Sequence, residues 1–227
     1  MGRVYNSVMT EIGPVTEFPE FTGERVYMAP FRIKDGLPPE LRRWQATVDQ
    51  MLHGVTSDMP VYVMIDQGFV PAGISQRRGG IHIDGYWCGA THGSVPPRHY
   101  PTPSPTPQPK APVSTPEQED KERSKKPTRK KLGNMWDAMP FDFPEALIVA
   151  SNVIGARGYI GEFTGPIHDG GNCIDADLSK VQPITLAPYT AYAGNVTWLH
   201  ESIPVEQDCY RTMVRLNVPG WSPELYA

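Results

Sequence analysis

Between residues 94 and 133 the chain loses the means to form regular structure. Ten of its twenty-five prolines fall there, including the alternation Pro101-Thr-Pro-Ser-Pro-Thr-Pro-Gln-Pro109, and a charge-dense run from Glu117 to Lys131 follows. Proline fixes φ and donates no backbone hydrogen bond, so neither a helix nor a central strand survives this density. The segment also lacks apolar groups to bury and is expected to be a polyproline-like or disordered excursion. A structureless loop this long fits a compact domain only as an insertion. The expected organisation is therefore a single domain over residues 1–227, interrupted at 94–133.

Around that insertion the apolar periodicity changes character. Residues 1–37 are rich in Gly, Pro and aromatics and read as irregular, with one short strand at Arg25–Met28. Pro38 and Pro39 open a helix in which Leu41, Trp44, Val48, Met51 and Leu52 form one apolar stripe, stopped by Gly54. From residue 60 the period becomes two. Strands are expected at Pro60–Ile65, Gly80–Gly85, Ala146–Ser151, Gly158–Phe163, Ile184–Ala187, Val196–His200 and Tyr210–Val218, separated by turn residues. Many short strands after one helix favour a mainly β fold, an antiparallel sandwich or jelly roll, over alternating βαβ units.

The net charge of −4 conceals an asymmetry. Residues 94–133 carry nine Lys/Arg against four Asp/Glu, leaving an acidic body, which is not the pattern of a dedicated duplex-DNA binder. The Lys121–Lys131 cluster reads as a solubilising loop, or as an arm making weak contact with a polyanion. Three widely spaced cysteines (Cys88, Cys173, Cys209) make no CxxC pair and indicate neither a zinc knuckle nor a disulfide framework. No segment approaches the ~18 apolar residues of a membrane span, and the first thirty residues hold no signal-like apolar run. Met1-Gly2 opens like a myristoylation signal, but Asn6 stands where Ser or Thr is required. A reduced, cytoplasmic protein is the expectation.

His82 and Asp84 are two apart on an expected strand, so both side chains face one way. One short segment thus offers an imidazole and a carboxylate to a single ion. His200, in Trp198-Leu-His200, comes at the end of a strand that leaves the turn Gly194-Asn195. Two histidines and one carboxylate on one face of an octahedral metal leave three positions open. Eleven residues later, Arg211 opens an apolar strand on which Arg211, Met213, Arg215 and Asn217 share a face. An arginine pointing into a sheet packing is costly unless an anion meets its planar fork.

With these residues the chain resembles the Fe(II)/2-oxoglutarate-dependent dioxygenases, over about residues 60–90 and 145–220. The resemblance rests on the HxD at His82/Asp84, the distal His200, the approach Gly194-x3-Trp198-Leu-His200, the following Pro204-Val205, and a basic residue downstream. It implies a double-stranded β-helix (a jelly roll) with flanking helices. It implies Fe(II) held by His82, Asp84 and His200, with 2-oxoglutarate as cosubstrate and O2 as oxidant. The outcome would be hydroxylation or demethylation of a substrate that the sequence does not identify. The family's Arg-x-Ser pair is absent, so Arg211 and Arg215 both stand as carriers of the 2-oxoglutarate carboxylate; the spacing from His200 favours Arg211.

Tyr86 shares parity with His82 and Asp84, as does Cys88, and is expected to contact substrate or cosubstrate or else to pack in the core. His168 sits in Pro166-Ile-His-Asp-Gly-Gly171 and reads as a turn. His92 and His99, like Arg77 and Arg78, read as solvated. Two other classes compete with an oxygenase. One is a non-enzymatic jelly-roll or cupin-like binding or structural protein with a degenerate metal site. The other is a metal hydrolase, which would want more carboxylates than this chain offers. Oligomeric state is not legible.

Overall fold

Strand-forming sequence dominates the structure, a computed structural model that describes residues 2–87, 136 and 139–223. The insertion expected at 94–133, its Lys121–Lys131 cluster, and Cys88, His92 and His99 lie outside the described residues. Met1–Trp87 and Trp136–Ala227 belong to one unit. In chain order its strands are β1 (Val4–Ser7), β2 (Met9–Pro14), β3 (Arg25–Phe31), β4 (Val61–Val70) and β5 (Glu145–Ser151). There follow β6 (Ala156–Thr164), β7 (Val181–Thr185), β8 (Thr190–Gly194), β9 (His200–Ser202) and β10 (Cys209–Pro219). The protein is mainly β, with one α-helix, α1 (Gln45–Met51), among the described residues. None of its described helices is long and apolar enough to cross a membrane.

Two antiparallel sheets carry the fold. The larger runs β2-β8-β5-β10-β4-β3; in the smaller, β6 pairs with β1, β7 and β9. Among the described residues the sheets do not close into a barrel. The period of two on β10 decides which side chains meet which layer. Val214, Leu216 and Val218 are fully buried against Trp44, Val48 and Met51 of the helical layer. That layer is a 3-10 segment, Pro39–Trp44, running into α1. Its apolar stripe is the one expected from sequence, and each fully buried side chain contributes roughly 1.5–3 kcal/mol. Trp44 also donates its indole N–H to Glu24, at 3.0 Å.

The opposite face of the larger sheet meets the smaller one. There Leu147 and Tyr192 pack with Met9, Leu186 and Trp198, while Met64 and Met213 pack with Met28. Between these apolar blocks lie the polar residues of β10.

Several elements depart from the sequence expectation. Residues 1–37 are not irregular, for they contain β1 and β2 as well as β3. Among the described residues β1 pairs only with β6 and β2 only with β8; β1 alternates in burial, but its exposed Val4 and buried Ser7 invert the apolar pattern that would have marked it. β8 went unforeseen because its residues are small: Ala191 and Ala193 sit under the helical layer, and Gly194 lies flat on the Trp198 ring. The expected strand Val196–His200 is instead a turn that delivers His200 as the first residue of β9, and the strand expected at Ile184–Ala187 begins earlier, as β7.

Gly80–Gly85 does not form a full strand. His82 pairs singly with His200 on one side and with Asn172 on the other. Its neighbours are too short to extend the ladder, because β9 has three residues and a 3-10 turn, Asp169–Gly171, ends just before Asn172.

Candidate metal centre

The His82–His200 pairing builds the site. The backbone N–H of each donates to the carbonyl of the other, at 3.0 Å in both directions. Such a doubly bonded antiparallel pair places the two side chains side by side on one face. The rings lie 4.5 Å apart, and Asp84, two residues on, joins the same face. One ligand atom from each of His82, Asp84 and His200 lies within 4.8 Å of the others. The group could hold a metal ion.

Local hydrogen bonds prepare the donors. His82 Nδ1 lies 2.7 Å from the Gly80 carbonyl, and His200 Nδ1 lies 3.0 Å from the Trp198 carbonyl. A carbonyl only accepts, so each Nδ1 carries a proton, and Nε2 is the nitrogen each ring has for a metal. His200 Nε2 then faces Asp84 Oδ2 at 3.4 Å. A proton or a metal cation between the two atoms satisfies both. Asp84 Oδ2 is buried, and although Arg215 Nη1 approaches it to 2.8 Å, no well-directed hydrogen bond reaches it among the described residues. Two imidazole Nε2 atoms and an under-satisfied carboxylate oxygen fit a divalent first-row metal, with positions left open.

The electrostatics agree. Burial pushes the Asp84 carboxyl up, but Arg215 and the His200 contact outweigh it and hold the group well below the usual range. Burial, reinforced by His200, lowers the His82 imidazole from 6.5 to about 4. At neutral pH the site therefore presents one anion and an unprotonated His82. An unfolded chain regains the ordinary histidine value, so below pH 6.5 it binds a proton that the folded chain refuses until about pH 4. The stability contributed by neutral His82 is complete above pH 6.5 and is lost as pH falls through that window, on the order of 3 kcal/mol in all. Urea unfolding of metal-free protein at several pH values should show a steeper loss for wild type than for His82→Asn. Parallel curves would sink this account.

No protein-family profile, curated protein or solved structure matches this chain.

Of the other residues expected at the site, Arg215 reaches a ligand, and Arg211 is held elsewhere on β10. Arg211 is 1% exposed; its Nε donates to Ser151 Oγ at 3.1 Å, and its Nη1 is buried with no hydrogen-bond partner among the described residues. Burial lowers its pKa, Asp66 being the leading opposing charge. Gly155 lies flat against the guanidinium: a Cβ there would stand 2.7 Å from Cζ. Arg215, four residues along the same face and about 13 Å away at ~3.3 Å per residue, pairs with Asp84 at 2.8 Å.

Tyr86 leaves the ligand face because Gly85 takes φ 65° and breaks the alternation. Its hydroxyl accepts the Phe143 amide at 3.0 Å, its ring stacks on Phe141, and burial pushes its pKa up to about 12. His168 pairs with exposed Asp175 at 2.8 Å. Arg77 lies 3.5 Å from Asp66, and Arg78 donates to the Gly170 carbonyl. Ser151 and Gly155 were not foreseen. Ser151 stands opposite Met213 across the β5–β10 ladder, a placement that only the register reveals.

Proposed function

We propose that this chain is an Fe(II)- and 2-oxoglutarate-dependent oxygenase, hydroxylating or demethylating its substrate. The carrying observation is a metal-ready His82–Asp84–His200 group whose Asp84 meets Arg215 on β10, with Arg211 four residues along the same face, a fully buried cation with a donor unpartnered among the described residues. A buried guanidinium with an unmet N–H is costly to leave so, and a carboxylate matches its fork. Strand order supports the reading. In chain order come β4, the His82 segment, β5, β6, β7, β8, β9 and β10. These fall into two rows, β4-β10-β5-β8 and His82-β9-β6-β7, as in a jelly roll of the double-stranded β-helix type.

In this reading His82 and His200 hold iron through Nε2, and Asp84 through its carboxylate. When bound, Fe(II) with 2-oxoglutarate and O2 supplies the oxidising power that breaks a substrate C–H bond. Arg211 receives the far carboxylate of 2-oxoglutarate, and the Ser151 hydroxyl, already on Nε, orients the fork. Arg215 is committed to Asp84, which leaves Arg211 as the anion receptor.

Anaerobic titration with Fe(II) and 2-oxoglutarate tests the proposal. A weak visible metal-to-ligand charge-transfer band supports it. Metal binding with no such band would leave a jelly-roll binding protein that retains the ligands and lacks the cosubstrate.

Gly155→Ala probes the anion pocket without touching a charge. The added methyl must displace a guanidinium that Ser151 and full burial hold in place. The 2-oxoglutarate dissociation constant should rise at least about tenfold, with iron affinity unchanged. Equal 2-oxoglutarate affinities in calorimetry would show that Arg211 is not the receptor or is not held there.

A further inference from the structure

Arg215 is engaged at both ends of its guanidinium. Nη1 lies 2.8 Å from Asp84 Oδ2, while Nε donates to Asn217 Oδ1 at 3.0 Å. Asn217 is 1% exposed, and its Nδ2 donates to Glu145 Oε1 at 3.2 Å. Glu145 is equally buried, and the same Oε1 accepts the backbone N–H of Trp87 at 2.8 Å. The path Glu145–Asn217–Arg215–Asp84 therefore leaves the 84–87 segment at one end and returns to it at the other. It grips the carboxylate of the first residue and the amide of the last.

Strand geometry explains the path. Arg215 and Asn217 are two apart on β10 and share its inner face. Asn217 pairs with Leu147 on β5, and Glu145 pairs with Pro219, so the carboxylate of Glu145 comes from the neighbouring strand on that face. The 84–87 segment lies beyond the last pair of its own ladder, His82–His200, and carries the flexible Gly85. It has no sheet of its own, among the described residues, to hold Asp84 in place.

We propose that Glu145, Asn217 and Arg215 are positioning residues for Asp84, tying the metal-binding segment to the larger sheet. The inference rests on the metal reading above and assigns these buried polar residues a role in it. The Asn217 amide is the hinge of the arrangement, because its oxygen faces a donor and its nitrogen faces an acceptor. Partners that orient a metal ligand typically change affinity 10- to 100-fold when removed.

Polarity reversal tests the relay with cobalt(II) as probe, in the full chain and without turnover. Asn217→Asp sets two carboxylates against each other and should weaken cobalt affinity about 10- to 100-fold, with a changed visible d–d spectrum. Adding Glu145→Gln places an amide donor opposite the carboxylate introduced at position 217 while still accepting the Trp87 amide, and should recover both affinity and spectrum. Glu145→Gln alone should fail to do better than wild type. Thermal unfolding measured alongside separates a merely structural role, which would move stability and leave the cobalt spectrum unchanged. If Asn217→Asp does not fold, Asn217→Ser takes its place and should show the same loss. Wild-type affinity and spectrum in the Asn217 variants would overturn the relay while the three ligands stand. Failure of the wild-type chain itself to bind cobalt would remove the metal reading and the relay with it.

Discussion

His82→Ala, Asp84→Ala and His200→Ala should each abolish stoichiometric Fe(II) binding. The site draws on three protein ligands and leaves the remaining positions to water or cosubstrate, so losing one ligand leaves a pair that competes poorly with solvent. The outcome for folding should differ among the three. His82 and His200 lie on the inter-sheet face, and their backbone pairing survives truncation of the side chain. These variants should keep near-wild-type thermal stability at neutral pH. Asp84→Ala is different, because it leaves Arg215 half-buried with its anion gone. Breaking one partner of a buried pair is strongly destabilising, by about 3–5 kcal/mol at full burial, and Arg215 still has Asn217, so the cost should be smaller. Anaerobic iron binding with parallel thermal melts reads both effects. Wild-type iron affinity in any one variant would remove that residue from the ligand set.

The shared face of His82 and Asp84 and the inner face of β10 were legible from two-residue alternation, a local property, whereas His200 joined them through the resemblance and meets them only by its pairing with His82. The helical stripe from Leu41 to Leu52 was legible for the same kind of reason, at a period of 3.6. What stayed hidden depends on register between distant segments. Nothing near Asp84 in the chain announces that Arg215 will meet it, and the Glu145–Asn217 contact joins residues 72 positions apart. Ser151 could not be read as a partner of Arg211, since the relation runs across the β5–β10 ladder. Tyr86 shows the reverse case: parity placed it on the ligand face, and one glycine at positive φ turned it away.

This contrast also explains why two arginines on one face take different work. Each is inward by the same parity, and sequence spacing alone weights them only loosely. The structure gives Arg215 a fixed anion, Asp84, and a fixed acceptor, Asn217. It gives Arg211 a neutral hydroxyl, a glycine and a buried Nη1 with no hydrogen-bond partner among the described residues. A cation buried that way has the charge of Asp66 acting on it but no ion pair among the described residues to make its burial favourable.

Arg211→Ala should therefore raise the 2-oxoglutarate dissociation constant by roughly thirty- to a thousand-fold. A bidentate arginine–carboxylate contact contributes on the order of 2–4 kcal/mol when desolvated, and about 1.4 kcal/mol corresponds to a decade in affinity. Iron binding should change little, because Arg211 lies about 13 Å along the strand from the residue that touches Asp84, at ~3.3 Å per residue. Arg211→Lys should recover only part of the loss, since a single ammonium cannot reproduce the fork that Ser151 orients. Stability gives an independent check. Added 2-oxoglutarate should raise the melting temperature of wild type but not of Arg211→Ala, whatever the cavity left by the truncated side chain costs the ligand-free protein. If Arg211→Ala keeps wild-type 2-oxoglutarate affinity while Arg215→Ala loses it, the oxygenase reading survives and the two arginines exchange roles. If neither substitution changes that affinity, the cosubstrate assignment fails, and His82, Asp84 and His200 remain as the metal site of a binding protein.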